Sequence, residues 1–438
     1  MYSARSQHRL RISATIAVLV CWLAPAAVSA EGLSDTEQKI VVSVDQYFDE
    51  SIKLLRRVVN INSGTFNLKG VRKVGRIFHK ELAALGFDTR WIPMPDSVQR
   101  AGHLFAYRRG NQGKKVLLIG HLDTVFEKDS PFQRFKLHDS TATGPGVNDM
   151  KGGDVAILVA LKALHGLGLL ENTTIIVALH GDEEEPGRPT AVSRRDIIAA
   201  ARECDVALGF EGGIAGTGTV ARRGISGWRL AVAGIRGHSS AVFGKEYGSG
   251  AVYEAARILT AFHEEVRGEE YLTFNPGVIL GGTDVRFDPS TLRGTAFGKT
   301  NVIAQSVLVR GDLRFISEEQ RERARARMRA IVDRNLPGTS ATISFTDSYP
   351  AMAPTEGNYA LLGLYDQVSR DLGFGPIKAY DPAGRGAADV SFVASFVDCL
   401  DGLGVEGEGS HSISEDLDLR SLTSATQRAA VLIYRLTR

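Results

Sequence analysis

Residues 115–124, KVLLIGHLDT, decide the fold, because an apolar run ends there in a histidine and an aspartate. Similar runs rich in Val, Ile and Leu occur at 174–179 and 205–209, and a helical pattern at 153–165 separates the first two runs. Strands that alternate with helices are typical of an α/β sheet covered on both faces. We therefore expect a mostly parallel mixed sheet between layers of helices.

Polar side chains follow the end of each run. His121, Glu183, Glu184 and Glu211 all lie within a few residues of a predicted strand end. In open α/β sheets, reactive groups collect just beyond the carboxyl ends of the strands. The three runs therefore predict one shared site.

Two further segments supply ligand chemistry. Asp149 lies in the glycine-rich stretch 144–153, GPGVNDMKGG, and His411 lies in 409–412, GSHS. Imidazole nitrogen and carboxylate oxygen are ligands that zinc accepts, and a two-metal site needs about five of them with one shared. Five residues match that count and predict a di-zinc hydrolase: His121, Asp149, Glu184, Glu211 and His411.

Two carboxylates beside these ligands suit other tasks. Asp123 is two residues after His121 and points to the same side, so we expect it to orient the imidazole ring. The acidic run 182–185 offers adjacent glutamates that face apart, so one can bind metal while the other accepts and returns a proton. Ordinary solvated loops also contain such runs, and the residues alone leave that alternative open.

The first thirty residues resemble a secretory leader. Arg5, Arg9 and Arg11 precede an apolar run at 12–23, and small residues at 28–30 suit a signal peptidase. The run is shorter than the roughly 20 residues that a membrane span needs. We expect cleavage after Ala30, export to the periplasm or the medium, and no membrane anchor in the mature chain.

Composition limits the partners of the mature chain. Removing three leader arginines from 52 basic residues leaves nearly as many basic residues as the 50 acidic ones, which gives no support to nucleic-acid binding. The arginine-rich segment 321–334 also carries acids and an apolar stripe, so we interpret it as an amphipathic helix. Cys204 and Cys399 are expected to be buried small residues, with a disulfide left open.

The pattern changes near residue 222. A βαββαβ order from 222 to 349 predicts a compact α+β insert that acts as a lid. The catalytic domain would then be discontinuous, formed by 31–221 and 350–438.

The motifs GHLDTV, GPGVNDMKGG, GDEE and GSHS resemble those of the co-catalytic di-zinc exopeptidases, from about residue 50 to the C-terminus. That family includes aminoacylases, dipeptidases and glutamate carboxypeptidases of the carboxypeptidase G type. The resemblance implies that Asp149 bridges two zinc ions and that His121 and Glu211 bind separate ions. Glu184 would complete one ion and His411 the other, with Glu183 as general base and Asp123 as the partner of the ligand histidine.

The resemblance also assigns roles outside the metal set. The insert matches a lid that commonly mediates dimerisation, and His238 matches a lid histidine that stabilises the oxyanion in the partner's site. Asn301 and Arg314 match positions that hold a substrate carboxylate, although Arg314 could equally form an ordinary salt bridge. Gly386 lies in a loop, 385–389, that resembles a pocket lining.

We therefore expect an exported, dimeric, di-zinc hydrolase that releases a C-terminal amino acid, with glutamate as one candidate, from N-acyl or peptidyl substrates. An aminopeptidase, dipeptidase or aminoacylase of the same family is the alternative within the enzyme class. A non-catalytic periplasmic binding protein is the alternative outside it, but a disused site has no physical reason to retain desolvated carboxylates.

Overall fold

The computed structural model describes residues 32–438, so the leader prediction for 1–30 lies outside the described residues. Helices and strands alternate through the first half of the chain. The helices are α1 (Asp35–Gln46), α2 (Phe48–Val59), α3 (Leu68–Ala84), α4 (Lys151–Gly166), α5 (Thr190–Ser193) and α6 (Arg195–Ala201). The strands are β1 (Asp88–Ile92), β2 (His103–Arg108), β3 (Gln112–His121), β4 (Lys136–His138), β5 (Thr141–Thr143), β6 (Thr173–His180), β7 (Val206–Gly209) and β8 (Thr217–Gly218).

The remaining elements divide into two groups. The insert contains β9 (Gly224–Gly234), α7 (Ala251–Ala261), β10 (Thr273–Gly282), β11 (Asp284–Asp288), β12 (Arg293–Phe297), β13 (Ser306–Phe315), α8 (Glu318–Val332) and β14 (Thr339–Asp347). The chain then returns with α9 (Glu356–Asp371), β15 (Lys378–Ala379), β16 (Asp398–Leu400), β17 (Asp416–Asp418) and α10 (Leu419–Leu436). Within 32–438, no helix is both long and apolar enough to cross a membrane.

Helix α1 begins with a capping box. The Ser34 hydroxyl accepts a hydrogen bond from the Glu37 backbone N–H at 3.3 Å, and the Glu37 carboxylate accepts one from the Ser34 backbone N–H at 2.8 Å. These bonds satisfy two backbone donors at the helix start. The helical pattern that follows is divided between α1 and α2 at Tyr47.

The main sheet has six strands in the order β1-β2-β6-β3-β7-β16. The pairs β6–β3, β3–β7 and β7–β16 are parallel, whereas β1–β2 and β2–β6 are antiparallel. The mixed, mostly parallel sheet expected from the sequence is therefore confirmed. Strands β1, β2 and β16 were not predicted. β1 and β16 are short strands at the two edges of the sheet, and β2 lies inside it but spans only residues 103–108.

The centre of this sheet is buried on both faces. Every residue of β6 is buried, as are those of β7 and residues 116–121 of β3. Helix α4 is buried along nearly its whole length, from Lys151 to Leu164, as an all-round apolar helix should be. Tight packing there fixes the strand ends that carry the polar side chains.

The insert has a sheet and a hydrophobic cluster of its own. Its strands are ordered β10-β13-β9-β14 and all three pairs are antiparallel. Helix α8 buries Ala324, Met328, Ile331 and Val332, which confirms the amphipathic interpretation of the arginine-rich segment. The βαββαβ order is present with one addition, the exposed hairpin β11–β12. The domain boundaries at 222 and 349 stay a prediction.

Candidate active site

The predicted ligands converge beyond the carboxyl ends of β3, β6 and β7. His121 ends β3, while Glu184 and Glu211 lie in the loops that follow β6 and β7. Asp149 lies just before α4, and His411 lies before β17. His411 has φ of 65°, a left-handed conformation that is uncommon for residues other than glycine and that often marks functional positions.

One nitrogen of the His121 ring faces the carboxylates of Asp149 and Glu211, and the other faces Asp123, which follows β3. Its Nε2 is 3.2 Å from Asp149 Oδ1 and 3.7 Å from Glu211 Oε1. Its Nδ1 is 3.1 Å from the Asp123 backbone oxygen and 3.5 Å from Asp123 Oδ1. With Nδ1 held in this way, Nε2 is directed towards the carboxylates.

Asp123 links the strand ends in addition to facing His121. Its carboxylate accepts hydrogen bonds from the backbone N–H groups of Glu183 at 3.0 Å and Glu184 at 3.2 Å, and from the Thr65 hydroxyl at 2.7 Å. Asp123 is completely buried. One carboxylate therefore fixes the positions of the histidine and of both glutamates.

The second oxygen of Asp149 serves the other histidine. His411 Nε2 is 3.1 Å from Asp149 Oδ2 and 3.1 Å from Glu184 Oε2. Asp149 thus bridges two groups: His121 with Glu211, and His411 with Glu184. The resemblance placed His121 and Glu211 on separate ions, whereas here their side chains are neighbours. Chain separation gave no guide to which carboxylate lies beside which ring.

The electrostatics of the cluster favour a cation. Burial, reinforced by Glu211, raises the pKa of Glu183 well above its usual range. Burial also raises the pKa of Glu184 to about 7 and that of Glu211 to about 8. The buried Oε1 of Glu184 has no hydrogen-bond partner among the described residues. Desolvated carboxylates with an unmatched acceptor are the environment that a bound divalent cation stabilises.

The donor set therefore fits a metal centre. His121, Asp149 and Glu184 offer ligand atoms within 4.8 Å of one another, and so do His121, Glu183 and Glu211. The chemistry is imidazole and carboxylate throughout, which suits zinc and other borderline divalent ions.

Glu415 is a site residue that the sequence reasoning missed. Its Oε1 accepts hydrogen bonds from the backbone N–H groups of Asn148 at 2.9 Å and Asp149 at 3.0 Å, and its Oε2 accepts one from Gly146 at 3.0 Å. It is completely buried, and burial raises its pKa to about 7. No sequence signal identifies it, since an acid in a polar segment is ordinary.

A buried ionic network supports the loop after β6. Arg194 donates to Asp182 Oδ1 at 2.6 Å and to Asp389 Oδ1 at 2.7 Å, and His180 contacts Asp389. His103 also lies in this layer, with its Nε2 3.0 Å from the Ser193 backbone oxygen. Both histidines are buried in this network and lie outside the ligand set. Cys204 and Cys399 are both buried and unpaired, so no disulfide joins them.

A cavity of about 330 Å³ opens onto the ligand set. Gly386 lines it, as expected, together with two arginines that had no assigned role, Arg222 and Arg385. The sequence places Arg385 in the loop 385–389 but predicts no role for its side chain. Neither sequence spacing nor composition indicates that Arg222 faces the same cavity.

The predicted lid residues do not line this cavity. His238 is exposed and its Nδ1 is 2.8 Å from the Ser240 hydroxyl. Asn301 lies beside it, because the Ser239 backbone N–H donates to the Asn301 carbonyl at 3.0 Å. Arg314 donates to Asp312 Oδ2 at 2.7 Å, the salt bridge that had been the alternative to a substrate role. Within one chain, the structure does not bring these three residues to the metal ligands.

Comparison with known proteins identifies the class. Residues 117–435 match the model of peptidase family M20/M25/M40, so the chain belongs to this family of metallopeptidases and amidohydrolases. The resemblance stated from the motifs is thus confirmed. The chain is a metallohydrolase with a catalytic α/β domain and a lid.

Individual relatives and a neighbour in fold agree with that class. Carboxypeptidase G2 from Pseudomonas sp. strain RS-16 is 27% identical over 444 residues, covering 98% of each chain. A succinyl-diaminopimelate desuccinylase from Gluconacetobacter diazotrophicus is 26% identical over 369 residues, covering 81% of this chain and 89% of that one. A dinuclear metal-binding peptidase from Bacillus subtilis shares the fold, with a TM-score of 0.62 at 14% identity, covering 90% of this chain and 99% of that one.

Proposed function

We propose that the protein is an exported, two-zinc hydrolase that cleaves the amide bond of N-acyl or N-peptidyl amino acids and releases the C-terminal residue, with glutamate as one candidate. The observation that carries this proposal is Asp149, whose two oxygens face two histidines at 3.2 and 3.1 Å. The full-length similarity to a carboxypeptidase supports the choice of bond.

The distances within the donor set support a division between two ions. His121 and Glu211 would bind one zinc, His411 and Glu184 the other, and Asp149 both. Zinc bound there would polarise the scissile carbonyl and lower the pKa of the attacking water. The expectation of zinc rather than another divalent ion rests on the ligand types.

Glu183 has the position and environment of a general base. It is 9% exposed, and its ligand atom lies within 4.8 Å of those of His121 and Glu211. Its backbone is fixed by the Asp123 carboxylate on one side and by the Tyr349 hydroxyl, which donates to its carbonyl at 2.7 Å, on the other. In this position Glu183 would accept the proton of the attacking water and return it to the leaving amine.

The lid residues matched by the resemblance do not line the cavity of their own chain. His238 and Asn301 lie together on the lid and away from the cavity of their own chain. We infer a homodimer in which the lid of one chain directs His238 to the oxyanion of its partner's site. Export through the leader at 1–30 is part of the same proposal.

The test uses residues 31–438 reconstituted with zinc. Release of free amino acid is followed for N-acyl amino acids, for the same compounds with an amidated C-terminus, and for dipeptides with a free N-terminus. We expect hydrolysis of the N-acyl compounds that stops on chelation and returns with zinc. Cleavage of the free-amine dipeptides alone would favour an aminopeptidase, and tight binding without any cleavage would favour a binding protein.

A further inference from the structure

Two arginines of the cavity wall have hydrogen-bonding capacity that the described residues do not use. Arg222 is 3% exposed; its Nε donates to Asp401 Oδ2 at 2.6 Å and its Nη1 to the Gly386 carbonyl at 2.8 Å. Arg385 donates through Nε to the Thr219 hydroxyl at 2.9 Å and through Nη1 to the Gly212 carbonyl at 2.9 Å. The buried Nη2 atom of each guanidinium has no partner in residues 32–438.

The local charges do not balance. Asp401 is completely buried and forms its ion pair with Arg222, at 2.6 Å. Arg385 forms no salt bridge within the described part of the chain. The other carboxylates that line the cavity are Asp149, Glu183, Glu184 and Glu211, all of which belong to the metal and base set. Arg385 is therefore a cavity-lining cation without an ion pair of its own among the described residues.

Asp401 and Glu211 offset the burial of this cation only in part. Burial first, and then the neighbouring Arg222, lower the pKa of Arg385 to about 10. A desolvated guanidinium without a carboxylate is costly unless an anion joins it. A substrate carboxylate would supply both the missing acceptors and the missing charge, in the planar geometry that suits a guanidinium.

We propose that Arg385, with Arg222 beside it, binds a carboxylate of the substrate and determines the specificity of this site for anionic substrates. This inference rests on the proposed hydrolase function and refines its substrate class. It assigns to the catalytic half a task that the sequence resemblance gave to Arg314, which is paired with Asp312 and lies outside the cavity wall.

A substrate can carry this carboxylate at either end. It can be the C-terminal carboxylate of the released amino acid or a terminal carboxylate of the acyl group. The chemistry recognised by Arg385 is the same, so the two sources are separated by experiment.

Binding is measured separately from turnover, in a Glu183→Gln background reconstituted with zinc. Calorimetry gives Kd for three probes. These are the α,γ-diamide of N-acetyl-glutamate, in which both carboxylates are blocked; a neutral N-acetyl amino acid with a free C-terminus; and a neutral N-succinyl amino acid amide, whose only carboxylate is on the acyl group. Each probe is titrated into the background protein and into its Arg385→Gln, Arg385→Lys, Arg314→Gln and Arg420→Gln derivatives. Arg420 is an exposed arginine and serves as the matched control for loss of one positive charge.

We expect the background protein to prefer one carboxylate probe over the blocked probe. Arg385→Gln should raise Kd for that probe roughly tenfold to a hundredfold, the range for a charge-assisted hydrogen bond. Kd for the blocked probe should change little, Arg385→Lys should keep part of the preference, and Arg314→Gln and Arg420→Gln should keep all of it. The probe that loses affinity identifies the source of the carboxylate.

Three results would overturn the inference. These are equal affinity for blocked and anionic probes, an unchanged preference in Arg385→Gln, or loss of affinity for all three probes together, which would indicate a structural role only. Zinc content and the unfolding midpoint of each variant are measured alongside. If the parent with Glu183 binds these probes with the expected preference and cleaves none, the hydrolase proposal fails while the assignment of Arg385 stands.

Discussion

Replacing Glu415 with alanine should weaken both the fold and the metal centre. The change leaves three buried backbone donors, those of Gly146, Asn148 and Asp149, without their acceptor. Each unsatisfied buried donor costs roughly 1–3 kcal/mol. Two effects reduce the net loss of stability below the sum of these three penalties. Burial of the Glu415 carboxylate is itself unfavourable, as its raised pKa shows, and water can enter the space that alanine leaves. We expect the free energy of unfolding of the metal-free protein to fall by about 3 kcal/mol.

The same three bonds hold the loop that presents Asp149 to both histidines. Groups that orient a metal ligand typically contribute about 10- to 100-fold to metal affinity. Glu415→Ala should therefore weaken zinc binding by about that factor, measured by competition with a chromogenic chelator. Glu415→Gln keeps one carbonyl oxygen and places an amide donor against one backbone N–H, so its effects should be smaller than those of alanine.

The control for this series is Glu408→Ala, an exposed glutamate in the same segment. It should change the free energy of unfolding by less than about 0.5 kcal/mol and leave zinc affinity unchanged. Wild-type zinc affinity and stability in Glu415→Ala would refute the assignment of Glu415 as the residue that positions Asp149.

Three other predictions concern pH, subunits and metal. Burial lowers the pKa of His103 well below its ordinary value, so below about pH 6.5 only the unfolded chain takes up a proton on this side chain. Between pH 6.5 and 5, the free energy of unfolding of the metal-free protein in urea should therefore fall by up to about 1.4 kcal/mol per pH unit relative to that of His103→Gln. Parallel pH dependences of the two proteins would contradict this. His238→Ala and Glu183→Ala chains, each inactive alone, should regain about a quarter of wild-type activity when they are refolded together. Half of the dimers are then mixed, and each mixed dimer has one intact site of its two. No recovery would place His238 outside the partner's site. Chelation should lower the midpoint of thermal unfolding, and free zinc at a hundred times its Kd should restore about 2.7 kcal/mol of the free energy of unfolding. An unchanged midpoint would exclude a metal that binds preferentially to the folded state.

The elements that sequence predicts well are the ones whose pattern is local. The apolar runs that became β3, β6 and β7 fixed the sheet and placed His121 and Glu211 at its edge. The Ser34 capping box of α1 is equally local, since its partner Glu37 is one turn away. The amphipathic stripe of α8 likewise lies within a single helix.

What sequence could not supply is long-range pairing. Glu415 meets the Asp149 loop more than 260 residues away in the chain, and His411 reaches Glu184 across a comparable separation. The five candidate ligands could be named from sequence, but not which carboxylate lies beside which histidine. Arg222 and Asp401 are likewise brought together only by the fold.

The central claim is a two-metal hydrolase with Glu183 as its base, and one comparison tests it most directly. Zinc content and amide hydrolysis are measured for the wild type, for Glu183→Ala and for Glu185→Ala, whose exposed glutamate is the neighbouring control. We expect two zinc ions per chain in all three proteins, with turnover reduced about 10²- to 10⁴-fold in Glu183→Ala alone. Full activity in Glu183→Ala, or fewer than two ions in the active wild type, would contradict it.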